Sequence, residues 1–329
     1  MKQLTCVLTI LLTLLFSSST TYGAYKLTTE GLIPASEVAS LPIPEHFQKG
    51  VDNIENKQWD EAVRQFQIVL RNSGDNRYYR DSLYYLGVAY YHQQNYQYAI
   101  RKFNAYLKQS STPKYFENVM KYKFAIAQEY QNGAKKYLFG WSQMPKWVPA
   151  KEDAIEIYDQ IAMVMPGHEM AAKALFAKAG LLEQLKDYDE SAEAYQVLIQ
   201  RFPKSSLSAK SFSALSNLYL TQSQLLYKDP DLLTLANINL KHYQRSFPRD
   251  IKITEASENL RKMQEIYAKE LYKTAELFVR MEQPKAAALY YYTALLKFPN
   301  TKIAGQSKEK LKNYKGILSE IGLPDEILR

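Results

Sequence analysis

The sequence predicts an all-α fold, a superhelical solenoid of five to six helix pairs, from three observations that keep time with one another. A small residue followed four positions later by a large one recurs along the chain: Ala62 with Phe66, Ala99 with Phe103, Ala154 with Tyr158, Ser191 with Tyr195, Ala236 with Leu240 and Ala287 with Tyr291. Twelve residues after the small one, the last four repeats carry a proline: Pro166, Pro203, Pro248 and Pro299. Twelve residues before it, the clean repeats place a second small residue: Gly50, Gly87, Ala179 and Ala275. The series fits two antiparallel helices per repeat. A small residue on each lets the partner approach, and a large one a turn away fills the space at the crossing. Proline, lacking an N–H and fixed in φ, stops the second helix before the next repeat. A lone pair of helices cannot bury its apolar face, so the repeats must stack.

The base period is 37 residues, from Ala62 to Ala99 and again from Ala154 to Ser191, and the longer intervals of 55, 45 and 51 mark three insertions. Composition agrees with a globular chain: 46% apolar and 23% charged, with 13 prolines and 12 glycines in 329 residues.

Taken in order, residues 1–23 have the layout of a secretory signal peptide: Lys2, an apolar run from Val7 to Phe16, then a small and polar stretch ending at Gly23. The alternative is an uncleaved anchor helix, although the run is short for a bilayer. Residues 24–44 read as an extended linker, 45–319 as the repeats with an insertion at 133–149, and 320–329 as a C-terminal tail. The one cysteine, Cys6, precedes the apolar run and would leave with the leader. The mature chain would then hold neither disulfide nor thiol, which suits an oxidising compartment. N-x-[ST] sequons are absent, which favours a bacterial periplasm over a eukaryotic secretory route.

These spacings resemble tetratricopeptide repeats, over roughly Glu45 to Ser319. A finer resemblance lies in the joints Arg201-Phe202-Pro203-Lys204-Ser205 and Lys297-Phe298-Pro299-Asn300-Thr301, which are similar to the aromatic-Pro-x-Ser/Thr joints of the BamD family of outer-membrane β-barrel assembly factors. That resemblance implies an exported scaffold, peripheral to the outer membrane, whose partners are the β-barrel assembly subunit and unfolded outer-membrane proteins. The family bears a lipid on an N-terminal cysteine, which this chain lacks. Periplasmic coordinators that work with the Tol-Pal system share similar repeats and a non-lipidated leader, and a generic secreted adaptor is the third reading.

Catalysis finds little support. His46, His92, His168 and His242 are scattered among different repeats, none paired at the i, i+4 spacing of a helical metal site, and read as solvated helix residues. No phosphate-cradling glycine loop occurs, and acidic pairs such as Glu152-Asp153 sit at helix starts, where the helix dipole favours them. No catalytic residue, metal or cofactor is expected. The net charge of +8 is spread along the helices rather than massed in a stripe, so nucleic acid is not expected as a partner; the charge reads first as a generally solvated surface, with anionic headgroups or acidic protein surfaces as the alternative.

Two binding sites are expected. First helices would line a groove through Tyr84, Val88 and Tyr91, then Phe124, Gln128 and Gln131, then Phe176, Gly180 and Glu183, an apolar surface suited to an extended or helical peptide. The alternative is that these aromatics, among 27 tyrosines, pack within the repeats. The insertion at 133–149 carries Phe139, Trp141, Met144 and Trp147. Long aromatic loops are rarely disordered, so it reads as a partner-docking loop, a loop dipping into a membrane interface, or one folded back onto its own repeats.

Overall fold

The computed structural model of the chain describes residues 25–28, 31–34, 38–74, 76–225 and 230–324. The leader read at 1–23 and the last five residues of the tail lie outside them. Two compact bodies make up the chain: the first takes everything up to Ile126 together with Lys136–Val148, and the second takes Ala127–Lys135 and everything from Pro149 onward.

In the first body, strands β1 (Tyr25–Thr28) and β2 (Gly31–Pro34) pair antiparallel within the stretch read as a linker. Helices α1 (Ile43–Glu55), α2 (Trp59–Asn72), α3 (Arg77–His92) and α4 (Tyr96–Lys108) follow, each packed on the next. Helix α5 (Phe116–Gln131) runs through the boundary between the bodies. The second body continues with α6 (Lys151–Val164), α7 (Glu169–Leu185), α8 (Tyr188–Arg201), α9 (Ser206–Leu225) and α10 (Pro230–Ser246). Helices α11 (Lys252–Arg280), α12 (Pro284–Lys297), α13 (Lys302–Leu311) and α14 (Lys315–Glu320) complete it. The first and second helices of the six predicted repeats are thus α1/α2 to α11/α12, and α13 and α14 close the series against α12.

The small-to-large rule has a direct steric basis. A Cβ added at Gly50 would lie 2.7 Å from the Phe66 ring, and one at Gly87 would lie 2.4 Å from that of Phe103. Both rings are fully buried, so each second helix drives its large residue against the bare backbone of its first helix. In the fourth repeat the crossing is polar: Ser191 Oγ donates to Ala179 O at 2.9 Å.

A second periodicity emerges at the turns inside each pair. Lys57, Gln94, Lys186 and Glu282 all have φ between 56° and 70°. Each stands five residues before the small residue of its second helix, and the residue after it donates back into the first helix: Gln58 to Asn53, Asn95 to Tyr90, Asp187 to Leu182, Gln283 to Phe278. This is a left-handed helix C-cap built without glycine. Gly133 takes the same place after α5, with Ala134 donating to Glu129 O.

The proline joints between repeats are equally regular. Met165, Phe202 and Phe298 end their helices at φ −125° to −130° and ψ 54° to 56°. Proline excludes the helical region for the residue before it, which explains the shared conformation. Two residues beyond each proline, a side chain accepts from the next helix: His168 from Met170 N, Ser205 from Leu207 N, Asp250 from Lys252 N and Thr301 from Ala304 N. Each joint therefore stops one helix and caps the next.

Of the histidines, His46 is not solvated but 3% exposed. Its Nε2 accepts from the Ser40 and Leu41 N–H groups, and its Nδ1 faces Gln65 Oε1 at 2.7 Å, which ties the linker to α2. Of the three insertions, two fall where helices lengthen, in α9 with 20 residues and α11 with 29. The other becomes a hairpin.

Candidate functional site

The insertion in the first body is an ordered β-hairpin. Strands β3 (Lys136–Tyr137) and β4 (Lys146–Val148) pair antiparallel around a 3₁₀ turn at Leu138–Gly140. Backbone bonds knit the tip, from Leu138 N to Pro145 O at 3.0 Å and from Met144 N to Trp141 O at 3.0 Å. Helix α4 holds the hairpin from below. Tyr98 Oη accepts from Ser142 N at 3.1 Å, and Arg101 donates to Gly140 O at 3.2 Å. The Tyr137 hydroxyl bonds Asn95 Oδ1, and Lys146 Nζ reaches Gln94 O at 2.8 Å while lying over the Tyr137 ring. Donation from Ser142 and the nearby Arg101 pull the Tyr98 hydroxyl below the ordinary tyrosine range.

All of these anchors are polar, and they leave the large side chains of the hairpin largely uncovered. Phe139, Trp141 and Trp147 are 74%, 63% and 66% exposed, and only Met144 is half-buried. Phe139 sits at φ 54°, ψ 9°, followed by Gly140 at φ 76°. A bulky residue in the left-handed region is strained, by about 1–3 kcal/mol, and such strain clusters at binding sites. The loop is thus folded back onto α4 and its lead-in through both its turn and its strands, while Phe139, Trp141 and Trp147 stay exposed.

The groove residues fare differently. Tyr84 and Val88 are buried, at 6% and 5% exposure, so the expectation of a groove lining is corrected for both. Tyr84 stacks on Tyr115 at 4.1 Å and abuts Tyr85 and Tyr106. Helix α3 faces close neighbours on more than one side, so Tyr84 and Tyr90 are buried and Tyr78, Tyr79, Tyr85 and Tyr91 are half-covered. Tyr91 is half-buried, edge-on to Tyr122. Phe124 is half-buried and Gln128 exposed. Gln131 is half-buried and accepts from Tyr158 Oη at 2.9 Å. On α7, Phe176 packs edge-on against Tyr195, Gly180 is half-buried, and Glu183 is half-buried with its carboxyl raised above the ordinary range by that burial.

The second body opens instead between successive second helices. A cleft of about 250 Å³ lies between α8 and α10 over α9, floored by Phe212, Leu215 and Tyr219 and walled by Ile199, Leu235 and Ile238. Asn239 Nδ2 donates to Phe212 O and Gln196 Nε2 to Tyr219 Oη, so these polar groups are satisfied; apart from Gln200 and His242 the rest of the lining is apolar. One repeat earlier, between α6 and α8 over α7, a cleft of about 530 Å³ carries Leu175 and Val197 with exposed Met163 at its edge. Its rim is charged, with Asp159 paired to Lys178 at 2.7 Å and Arg201 donating to Ala162 O at 2.8 Å. The sequence signal for the first cleft was a second apolar stripe on α10, Leu235 and Ile238, off the stripe that carries Ala236 and Leu240.

Comparison with known proteins addresses the fold. The tetratricopeptide-repeat family model matches residues 47–112 and 151–206, which span α1 to α4 and α6 to the start of α9. No curated protein matches the chain in sequence. Among solved structures, a repeat protein from Bacteroides fragilis is 14% identical over 83% of this chain and 98% of its own, with a TM-score of 0.40. One from Parabacteroides merdae is 15% identical over 82% and 97%, with a TM-score of 0.37. MamA from Desulfovibrio magneticus is 14% identical over 64% and 96%, with a TM-score of 0.36. The matched segments, the recurring helix pairs and their repeated crossings make the fold an all-α tetratricopeptide-repeat fold.

Proposed function

We propose that the chain is an exported, non-catalytic scaffold that holds extended segments of other proteins, in the assembly of β-barrel proteins at the bacterial outer membrane. The observation that carries the scaffold reading is the pair of clefts in the second body, one repeat apart: a mostly apolar one of about 250 Å³ and a wider one of about 530 Å³ with a charged rim. Such spacing suits an extended polypeptide that places successive anchors in successive clefts. The apolar run at 7–16 followed by small residues supports export, and the Phe-Pro-x-Ser/Thr joints support the assembly machine over the Tol-Pal coordinators.

Affinity capture from envelope extracts tests this. Leu235→Glu with Ile238→Glu, both at exposed positions, places two carboxylates in the cleft without touching the core. Capture of outer-membrane precursors and of the barrel-inserting subunit by the parent chain, and its loss in the folded double variant, is the expected result. Equal capture by both would remove the cleft from the account, and capture only of Tol or peptidoglycan-processing proteins would overturn the assembly role.

A further inference from the structure

The hairpin and the helix beneath it share a property that neither reveals alone. From Gln94 to Lys108, α4 and its lead-in contain Arg101, Lys102 and Lys108 and no Asp or Glu; the hairpin, residues 136–148, contains Lys136 and Lys146 and likewise no carboxylate. The anchors described above lock these two pieces together, so that Arg101, Lys136 and Lys146 lie at the contact that carries the exposed rings and neither piece brings a carboxylate to it. Arg101 and Lys108 lie seven residues apart on α4, hence on the same face. Elsewhere cations alternate with acids, as in the pairs Arg64–Glu61, Lys173–Glu169 and Arg261–Glu258.

We propose that this hairpin is a membrane-surface anchor, in which Phe139, Trp141 and Trp147 insert into the interfacial region of a bilayer while the surrounding cations pair with anionic phospholipid headgroups. Tryptophan and lysine together are the residues that the interface favours, since the indole is amphipathic and the ammonium meets the phosphate. Peripheral insertion buries an apolar face roughly 5–10 Å deep, which an ordered hairpin with Phe139 and Trp141 at its turn and Trp147 on β4 can offer without unfolding. The left-handed Phe139 and the knit backbone hold the rings ready, so little ordering entropy is lost on binding. A protein partner for the same loop would have to supply anions at several points against these cations; an anionic bilayer presents phosphates as a continuous sheet. The inference is independent of the clefts, because every residue it uses belongs to the first body.

Tryptophan fluorescence of the full chain with vesicles reads the hairpin directly. Trp59 is the only other tryptophan, so a Trp59→Phe background leaves the two hairpin indoles as reporters. With vesicles of phosphatidylglycerol and phosphatidylethanolamine, emission should shift to the blue and be quenched by brominated acyl chains; with phosphatidylcholine alone both effects should be weak. Lys108→Glu with Lys136→Glu should lower the partition coefficient about tenfold or more. A Phe139→Ser, Trp141→Ser and Trp147→Ser variant of the native chain should lose hairpin-dependent vesicle binding while its circular dichroism is unchanged. Absence of shift and quenching in the folded protein, equal effects with neutral vesicles, or indifference to the charge reversals would overturn the proposal. So would a hairpin photo-crosslinker that captures protein and no lipid.

Discussion

Gly87→Ala isolates the physical rule behind the repeat. The new methyl would lie 2.4, 2.5 and 2.9 Å from three carbons of the Phe103 ring, against an ordinary carbon–carbon contact of about 3.5–4.0 Å. The ring must retreat by about 1 Å, yet it is fully buried, stacked on Tyr122 at 5.5 Å and set against Tyr84 at 6.3 Å. Overpacking of this kind costs about 1–3 kcal/mol, and the better helix propensity of alanine returns about 1. The net is a loss of about 0–2 kcal/mol, and with a ring this tightly held we expect about 1. Gly180→Ala is the matched control on α7: its methyl would meet nothing nearer than Tyr195 Oη at 3.9 Å, so only the propensity gain of up to about 1 kcal/mol remains. Urea unfolding followed by far-ultraviolet circular dichroism reads both. Opposite signs are expected, and Gly87→Ala should cost less than half as much in a Phe103→Leu background. Equal stability of Gly87→Ala and the parent, or equal losses at both glycines, would refute the close-approach argument.

Other consequences are as direct. Lys186→Gly removes a side chain at φ 70° and should stabilise the chain by roughly 1 kcal/mol in the same assay, unlike glycine placed mid-helix. Thr301→Ala removes the cap of α13 and should cost about 1 kcal/mol, whereas Thr301→Ser should cost little. Glu276 is held below the ordinary carboxylate range by the Tyr291 hydroxyl and by Lys310. A depressed carboxyl contributes its stability above the unfolded value of about 4.3 and loses it as pH falls through the folded value, so α13 should gain amide exchange first in that acid window. Glu276→Gln should flatten that pH dependence.

The fold was legible because its information lies in steric pairs: Gly50 with Phe66, Gly87 with Phe103, and Ala179 with Ser191 are visible as spacings before any coordinates. The prolines were legible as stops, and the capping role of His168, Ser205, Asp250 and Thr301 could have been read from their fixed offset. The turns hid better. Lys57, Gln94, Lys186 and Glu282 occupy left-handed backbone without glycine, so no composition cue marks them; only their common offset from the small residue does. The groove assignment failed at Tyr84 and Val88 because helical periodicity states which residues share a face, not how many neighbours that face meets. The hairpin's aromatic richness was readable, but its exposure was not, since an aromatic loop can equally bury itself. What decides it is the polar anchoring by Tyr98, Arg101 and Lys146, contacts some 40 to 50 residues apart in sequence.

The measurement that bears most directly on the scaffold reading is photo-crosslinking in living cells from Gln200, at the lip of the cleft over α9, followed by mass spectrometry of the captured peptides. The account predicts crosslinks to extended segments of outer-membrane proteins and to the subunit that inserts them, lost when Leu235 and Ile238 become glutamate. Crosslinks confined to this chain itself, or to partners that persist in that variant, would contradict it.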